Sequence, residues 1–207
     1  MDFQPVKASD KEIIDKYMKK ANSRSCDMSF AAVYLWKDFY LLEYTVCEDM
    51  LIFRTTEDGS SYSFPIGDAS PEKALLALEA HCKENEEPLK LHCVYRENEA
   101  WLEEHMPGKF EIEFDRDSAD YIYECEKLIG LKGKKFHGKK NHVNKFIKTY
   151  DWAYEKITDD NINDCLAMLY KWKEINCEPG NIEKHAEACV SENALRERKF
   201  LGLKGGL

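Results

Sequence analysis

The sequence lacks the features that mark secreted, membrane-spanning and metal-binding proteins. Its opening, MDFQPVKASDKEII, has no basic stretch followed by an apolar one, so we predict no signal peptide there. Apolar runs such as 30–36 are much shorter than the ~20 residues that cross a bilayer. None of the eight cysteines stands in a CxxC pair, and none of the six histidines in an HExxH motif. We therefore expect a cytoplasmic protein with no transmembrane segment, no metal site and no disulfide-linked partner.

Acidic side chains are missing from one stretch of an otherwise acidic chain. The 207 residues carry a net charge of −9, but residues 127–150 contain no Asp or Glu. This stretch holds two histidines and eight lysines: Lys127, Lys132, Lys134, Lys135, Lys139, Lys140, Lys145 and Lys148. An acidic protein repels polyanions as a whole, so any contact with one must be local to this stretch.

The first 130 residues alternate between strand and helix patterns. Helices are predicted from Ser9 or Asp10, over 30–40, from Ser70-Pro71 and over 98–105. Strands are predicted over 3–7, 41–46, 51–56, 62–66, 89–95, 110–114 and 121–123, the second and third forming a hairpin. With the extended segments 110–114 and 121–123 counted as one strand, the order is β-α-α-β-β-β-α-β-α-β. It predicts an α/β (α+β) fold with a mixed sheet, helices on its faces and the element order of a GNAT-like acyltransferase.

After the basic stretch, the sequence repeats the order of predicted elements found at the start of the chain. Residues 152–157 have a strand pattern, Thr158 or Asp159 is suited to cap a helix that reaches Trp172, and a second helix is predicted over 182–198. The final FLGLKGGL resembles the start of a strand. We predict a first domain over 1–130, a connecting helix over 131–150 and, over 151–207, the N-terminal part of a second copy that is incomplete in this sequence. The alternative is that these elements pack on the first domain as a helical appendage.

The basic stretch has the pattern of an amphipathic helix over residues 135–150. One arc of the helical wheel is apolar: Phe136, Val143, Phe146, Ile147 and Tyr150. We expect this arc to pack against the protein and the lysines to face solvent. Three interpretations follow: a solvated connector, a site for a polyanion such as tRNA or a phosphorylated small molecule, or a membrane- or calmodulin-binding helix. A packing role for the apolar arc counts against the third.

Several motifs together resemble one family. These are SFAAVYLWKDFY, SFPIG, LKGKKFHGKKNHVNKF, Trp152-Ala-Tyr and FLGLKGGL. They are similar to the DUF2156 family, which is related to the C-terminal domain of phosphatidylglycerol lysyltransferase. The resemblance spans essentially the whole chain, and the lysine block is its most specific part. It implies a tandem GNAT-like fold, and the related lysyltransferases move an aminoacyl group from tRNA to a lipid head group.

The same resemblance implies which residues hold substrate phosphates. A glycine–lysine stretch leads into a basic helix in those enzymes, and Lys132 stands beside its counterparts here, which are Gly133, Lys134, Lys135, Lys139, Lys140, Asn141 and Lys145. Lys140 stands where those enzymes tend to have arginine, and lysine lacks the bidentate fork of a guanidinium. No cofactor is evident, and an acyl-CoA or aminoacyl-tRNA donor is implied for the full-length protein. The catalytic residues would lie in the second copy and are not identified.

The first copy lacks the glycine-rich loop with which acetyl-CoA-using relatives hold a pyrophosphate. The corresponding place reads FPIGDASPEKAL, where the single Gly67 precedes Asp68. Because a carboxylate repels phosphate, we expect no acetyl-CoA at this position. Serines 60, 61 and 191 lack a nucleophile-elbow context.

Two further groups of side chains flank the basic stretch. Alternating carboxylates are interpreted as an exposed acidic face: Glu111, Glu113, Asp115 and Asp117. Four aromatic residues are expected to serve mainly in packing, although they could stack on a base or sugar: Tyr121, Tyr123, Trp152 and Tyr154.

Three hypotheses follow for function. The leading one is a GNAT-like acyl or aminoacyl transferase with an incomplete catalytic core. The second is a polyanion-binding module without enzymatic activity. The third is a structural protein whose basic helix has no ligand.

Overall fold

A five-stranded mixed sheet organises the first half of the chain in the computed structural model, which describes residues 1–57 and 59–207. The strands are β1 (Gln4–Pro5), β2 (Glu43–Cys47), β3 (Met50–Thr55), β4 (Ser61–Ser63) and β5 (Leu91–His92). They are ordered β1-β2-β3-β4-β5. Neighbours up to β4 are antiparallel, and β4 pairs with β5 in parallel. A mixed sheet is the arrangement that the sequence pattern predicts.

Helices cover both faces of this sheet and make up most of the second half. They are α1 (Lys11–Ala21), α2 (Phe30–Trp36), α3 (Glu72–Glu84), α4 (Arg96–His105), α5 (Cys125–Gly130), α6 (His137–Thr149), α7 (Ile162–Asn176), α8 (Ile182–Arg196) and α9 (Arg198–Leu201). Short 3-10 turns, Ala8–Asp10 and Lys134–Phe136, precede α1 and α6. The predicted α/β class with flanking helices is confirmed.

Strand β3 is the centre of the hydrophobic core because both of its faces are covered. Leu51 and Phe53 belong to the cluster formed with α1 and α2, whereas Met50 and Ile52 belong to the cluster formed with α3. Successive side chains of a strand point to opposite faces, so one short apolar segment serves two layers. A continuous apolar run of this kind is typical of a strand that is buried on both sides.

The hairpin between β2 and β3 confirms the prediction for this region. Its two-residue turn consists of Glu48 and Asp49, with φ of 51° and 57°, and Cys47 pairs directly with Met50 across it. Positive φ at both central residues is the backbone of a type I′ turn, which matches the right-handed twist of the strands. The turn forms here without the asparagine or glycine that usually favours it.

Several predicted strands are shorter than expected or absent. The pattern over 89–95 yields only the two residues of β5, because the chain turns at Cys93, whose φ is 53°, before α4 begins at Arg96. Residues 110–114 and 121–123 form no strand in the described structure, so that prediction is wrong. Apart from Phe110, which is partly buried, their side chains are exposed, and alternation fixes a strand only when a neighbouring strand takes up its backbone hydrogen bonds. The short helix α5 was not predicted.

Residues 155–207 repeat the connectivity of the opening on a smaller scale. Glu155 and Leu207 exchange two backbone hydrogen bonds of 3.0 and 2.8 Å, and Lys156 bridges Gly206. The antiparallel contact therefore joins the segment before α7 to the segment after α9, as β1 joins β2 around α1 and α2. It is an isolated bridge and not the full strand predicted over 152–157. The predicted division into two copies stays a prediction.

The end of the chain is anchored on the first core. Leu201 is buried in the cluster that contains Phe30, and the Phe200 ring meets the rings of Phe30 and Tyr34 with centroid distances of 6.3 and 5.8 Å. Asp159 forms ion pairs with Arg198 and Lys199, so the start of α7 is tied to the same helix α9. The C-terminal elements thus contact the first half directly, as the alternative interpretation allowed.

Two leucines of α3 give a matched test of the core. Leu78 is fully buried and Leu76 is 47% exposed on the same helix. We expect Leu78→Ala to lower the free energy of unfolding by about 2–5 kcal/mol through the cavity it leaves, and Leu76→Ala by less than about 1 kcal/mol. Urea unfolding followed by far-UV circular dichroism measures both. Equal losses in the two variants would contradict the assignment of the inner face.

Two histidines make stability depend on pH. Burial lowers the pKa of His81, and burial together with Lys90 lowers the pKa of His92 to about 4. The unfolded chain, with ordinary histidine pKa values near 6.5, binds protons first as pH falls, so stability is lost between about pH 6.5 and pH 4. Urea midpoints across this range should fall with decreasing pH, and His92→Gln should flatten the fall. A midpoint that rises on acidification would be inconsistent with buried neutral histidines.

Candidate anion-binding surface

The residues predicted to hold phosphates lie on and just before helix α6, and all of them are exposed. Lys132 and Gly133 follow the C-cap of α5, Lys134 and Lys135 form the 3-10 turn, and the rest belong to α6: Lys139, Lys140, Asn141 and Lys145. Gly133 has φ of 94°, a conformation that costs other residues free energy. The structure therefore brings the predicted set onto one continuous surface element.

The lysines of this element have no carboxylate partners within the described residues. Lys127 pairs with Glu124. From Lys132 to Lys148, no lysine forms an ion pair with an Asp or Glu of the described chain. Elsewhere on the surface, cations such as Lys20 and Lys109 are paired. Among residues 1–57 and 59–207, therefore, no carboxylate pairs with the charges on α6, which leaves them available to an external anion.

The apolar arc of α6 does not pack against the body, and the prediction that it does is wrong. Val143, Phe146, Ile147 and Tyr150 are between 46% and 59% exposed. Phe136, which lies in the preceding turn, is the buried member of the arc. The contacts of the Phe146 ring with Tyr150 and Trp152, at centroid distances of 5.1 and 6.1 Å, are local in sequence. The arc has the pattern of an amphipathic helix, and no element of the described chain covers it.

The flanking aromatic residues are also exposed, contrary to the packing role expected for them. Tyr121, Tyr123, Trp152 and Tyr154 each expose half or more of their surface. Tyr123 reaches the basic helix, since the Lys139 Nζ lies 5.9 Å from the centre of its ring. The four predicted acidic residues, Glu111, Glu113, Asp115 and Asp117, are exposed as expected.

The Gly67-Asp68 step has a structural role. A Cβ placed on Gly67 would meet the Met50 Sδ at 2.8 Å, so this position needs glycine for close packing. Asp68 forms an ion pair of 2.6 Å with Lys20, which lowers the pKa of the carboxyl. The negative charge expected to repel phosphate at this place is therefore held there by a lysine of α1.

A serine–histidine pair was missed from the sequence. The Ser61 Oγ lies 2.8 Å from the His92 Nδ1 because β4 and β5 are parallel neighbours with Ser63 in register with His92. Ser61 is buried, and no hydrogen bond to a carboxylate orients the ring within the described residues. The arrangement satisfies the buried Ser61 hydroxyl and the partly buried His92 ring, and the serine lacks the access that a nucleophile needs. Register between parallel strands, which links residues 31 apart, carries no local sequence signal.

Two classes of site are not found in residues 1–57 and 59–207. No group of three or more His, Cys, Asp or Glu side chains is placed to hold a metal ion. No helix has both the length and the apolar composition that a bilayer span demands.

Comparison with known proteins identifies the family. The sequence model described as phosphatidylglycerol lysyltransferase, C-terminal, matches residues 18–207. The chain belongs to this family. The resemblance of the lysine block and its surroundings to the lysyltransferase C-terminal domain is thereby confirmed. The family match includes every residue of the candidate surface, from Lys132 to Lys145.

Two individual proteins are similar to this member of the lysyltransferase family. The crystal structure of a conserved protein of unknown function from Bacteroides thetaiotaomicron VPI-5482 has a TM-score of 0.90 and 31% identity, covering 100% of this chain and 71% of that one. An uncharacterised protein of Mycoplasmoides gallisepticum is 33% identical over 63 residues, which is 30% of this chain. The match covers 20% of that relative's length.

Substitution of two glycines, one before α6 and one within it, should have opposite effects on the stability of this helix. Gly138 has open space around its Cβ position, so Gly138→Ala should stabilise α6 by about 1 kcal/mol. Gly133→Ala should instead disfavour the turn before it, because φ there is 94°. Hydrogen exchange of the α6 amides, measured by mass spectrometry, should slow in the first variant and quicken in the second. The same response in both would mean that glycine conformation does not limit this helix.

Proposed function

We propose that this chain is part of an acyl or aminoacyl transferase related to phosphatidylglycerol lysyltransferase, with the basic element from Lys132 to Lys145 binding the phosphates of a substrate. The observation that carries the proposal is the coincidence of two facts. The family match spans residues 18–207, and the most basic stretch within it is exposed and uncompensated by acidic partners in the described structure. A donor such as aminoacyl-tRNA or acyl-CoA supplies the phosphates.

The lysines act by position and charge. Lys134 and Lys135 on the turn and Lys139 and Lys140 on the first turn of α6 offer four cations within a few residues. Each ammonium is a compact point charge, so the surface would hold a flexible phosphate backbone without demanding one fixed geometry. The nucleophile in such a transfer is the amine or hydroxyl of the acceptor, and the protein contributes orientation and stabilisation of the developing oxyanion.

Three wider features belong to the same proposal. The strand and helix order of the first half supports a GNAT-like fold, and the repeated connectivity of residues 155–207 supports a second copy of it. All eight cysteines are free, which supports a reducing compartment such as the cytoplasm. We assign the catalytic groups to the second copy and name none of them.

A second candidate function is a polyanion-binding module without transferase activity. It is favoured by one observation. Within residues 1–57 and 59–207 the Ser61–His92 pair joins a hydroxyl to a histidine, and its serine is buried. Binding without transfer requires only the exposed lysines.

Binding of tRNA at different salt concentrations tests the proposed function. We expect the affinity of this chain for tRNA to fall steeply with salt, because each lysine–phosphate contact releases a counterion. Replacing Lys134, Lys135, Lys139 and Lys140 with alanine should reduce the slope of log K against log salt by about 0.7–0.9 for each phosphate that a lysine no longer neutralises. Filter binding or fluorescence anisotropy with labelled tRNA measures this slope.

The matched control removes the same number of exposed lysines elsewhere. Lys16 and Lys19 lie on α1, and Lys73 and Lys83 lie on α3. Their replacement with alanine changes the net charge equally and should leave most of the binding intact. A similar loss of tRNA affinity in both variants would mean that net charge alone explains the binding. It would argue against a site on α6. Aminoacyl transfer by the intact protein then separates the transferase from the binding module.

A further inference from the structure

Two tyrosines beside the basic helix hold their rings nearly parallel and apart. The rings of Tyr121 and Tyr123 have a centroid separation of 6.4 Å and an interplanar angle of 16°. They are 72% and 50% exposed. The separation corresponds to two residues of extended chain, in which side chains at i and i+2 stand on one side about 6.4–6.8 Å apart. We attribute the distance between the two rings to this local backbone spacing and not to packing in a hydrophobic core.

Each ring has a cation near it on a different part of the chain. The Arg116 guanidinium lies 5.2 Å from the Tyr121 ring centre and donates a hydrogen bond of 3.3 Å to its hydroxyl. The Lys139 Nζ lies 5.9 Å from the Tyr123 ring centre. The four groups run in the order Arg116, Tyr121, Tyr123, Lys139. They connect the segment before α5 to the first turn of α6.

We propose that Tyr121 and Tyr123 form a clamp that stacks one unpaired nucleobase, with Lys139 and Arg116 neutralising the phosphates attached to it. Stacked bases in a nucleic-acid strand are spaced by about 3.4 Å, which is about half the separation of the two rings. The 6.4 Å joins the ring centres, and a base stacked between two rings needs about 6.8 Å between their planes, so the exposed rings must move slightly apart to admit a base with one tyrosine on each side. Aromatic side chains stack on bases in this way without reading their sequence.

Charge favours a nucleotide over an uncharged aromatic ligand. Lys139 lies near the Tyr123 ring and Lys140 follows it on α6, so a phosphate attached to a clamped base would have these cations close to it. Several carboxylates lie in the same segment. Asp115 accepts hydrogen bonds from the Asp117 amide and the Ser118 hydroxyl, Asp120 accepts one from the Cys26 thiol, Glu124 pairs with Lys127, and Asp117 is exposed. A base in a duplex is already stacked and paired, so the clamp selects an unpaired one.

The clamp deepens the proposed function and rests on it, since the lysines provide the general affinity. One chemistry, an unpaired base linked to phosphate, is present both in a single-stranded RNA end and in the adenosine part of coenzyme A. Separate arms of the experiment distinguish the two sources. The first probe is a short single-stranded RNA with 2-aminopurine at an unpaired position, compared with the same RNA annealed into a duplex. The second is adenosine 3′,5′-bisphosphate.

The variants separate ring stacking from charge. Replacing both Tyr121 and Tyr123 with leucine should weaken binding of the single-stranded probe by about 5- to 150-fold and abolish quenching of 2-aminopurine. The salt slope should stay unchanged because the lysines remain. Replacing both with phenylalanine keeps the rings and should keep affinity and quenching. Phe114, which is 75% exposed in the same segment, supplies the control Phe114→Leu, which should bind like the unaltered chain.

The outcomes distinguish this inference from the proposed function. If the chain binds RNA through its lysines but the double leucine variant binds and quenches equally, the clamp is refuted and the proposed function stands. If the unaltered chain binds no nucleotide probe, both are refuted. Stronger binding of the duplex than of the single strand would also refute the clamp. Preference for the RNA over the adenosine nucleotide identifies the RNA end as the source of the base, and the reverse preference identifies the coenzyme.

Discussion

The burial of β3 on both faces is the constraint on which the rest of the structure depends. Leu51 and Ile52 are adjacent and fully buried, so each layer of helices must lie against its own side of one strand. Covering these two faces accounts for the hairpin partner β2, for the parallel pair β4 and β5, and for the anchoring of α9. Apolar surface removed from water contributes roughly 25 cal/mol for each Å², and β3 contributes such surface to two layers at once.

The basic element depends on this core only indirectly. Helix α6 has 13 residues and is exposed along its whole length. Isolated helices of about this length are marginal in water, and most helices gain their stability from a packed face. The contacts that hold α6 in place within the described residues include the burial of Phe136, the cation–π contact with Tyr123 and a few local ring contacts. A ligand that covers the apolar arc or neutralises the lysines would add order to this part of the molecule.

In the fold and at the candidate surface alike, patterns within short stretches of sequence predicted the features that depend on neighbouring residues. Apolar periodicity placed the β2–β3 hairpin and helices α1, α3, α6 and α7, and the absence of Asp and Glu over 127–150 revealed the lysines. Alternation failed at 110–114 and 121–123, where no neighbouring strand accepts the backbone hydrogen bonds, and periodicity could not say whether anything covers the arc of α6. The Ser61–His92 pair and the approach of Lys139 to the tyrosine rings could not be predicted, because both depend on residues that the fold brings together from separate segments.

The separation of charge has a kinetic consequence. Without the eight lysines of residues 127–150, the chain has 22 basic and 39 acidic residues, a formal charge of −17. The protein therefore carries an electric dipole whose positive end is α6. An approaching polyanion is turned by this field before contact, so that collisions with the acidic body are discouraged and those with the helix are favoured. Orientation during diffusion makes encounters productive more often, and dissolved salt screens this field beyond roughly one Debye length, about 8 Å at physiological ionic strength.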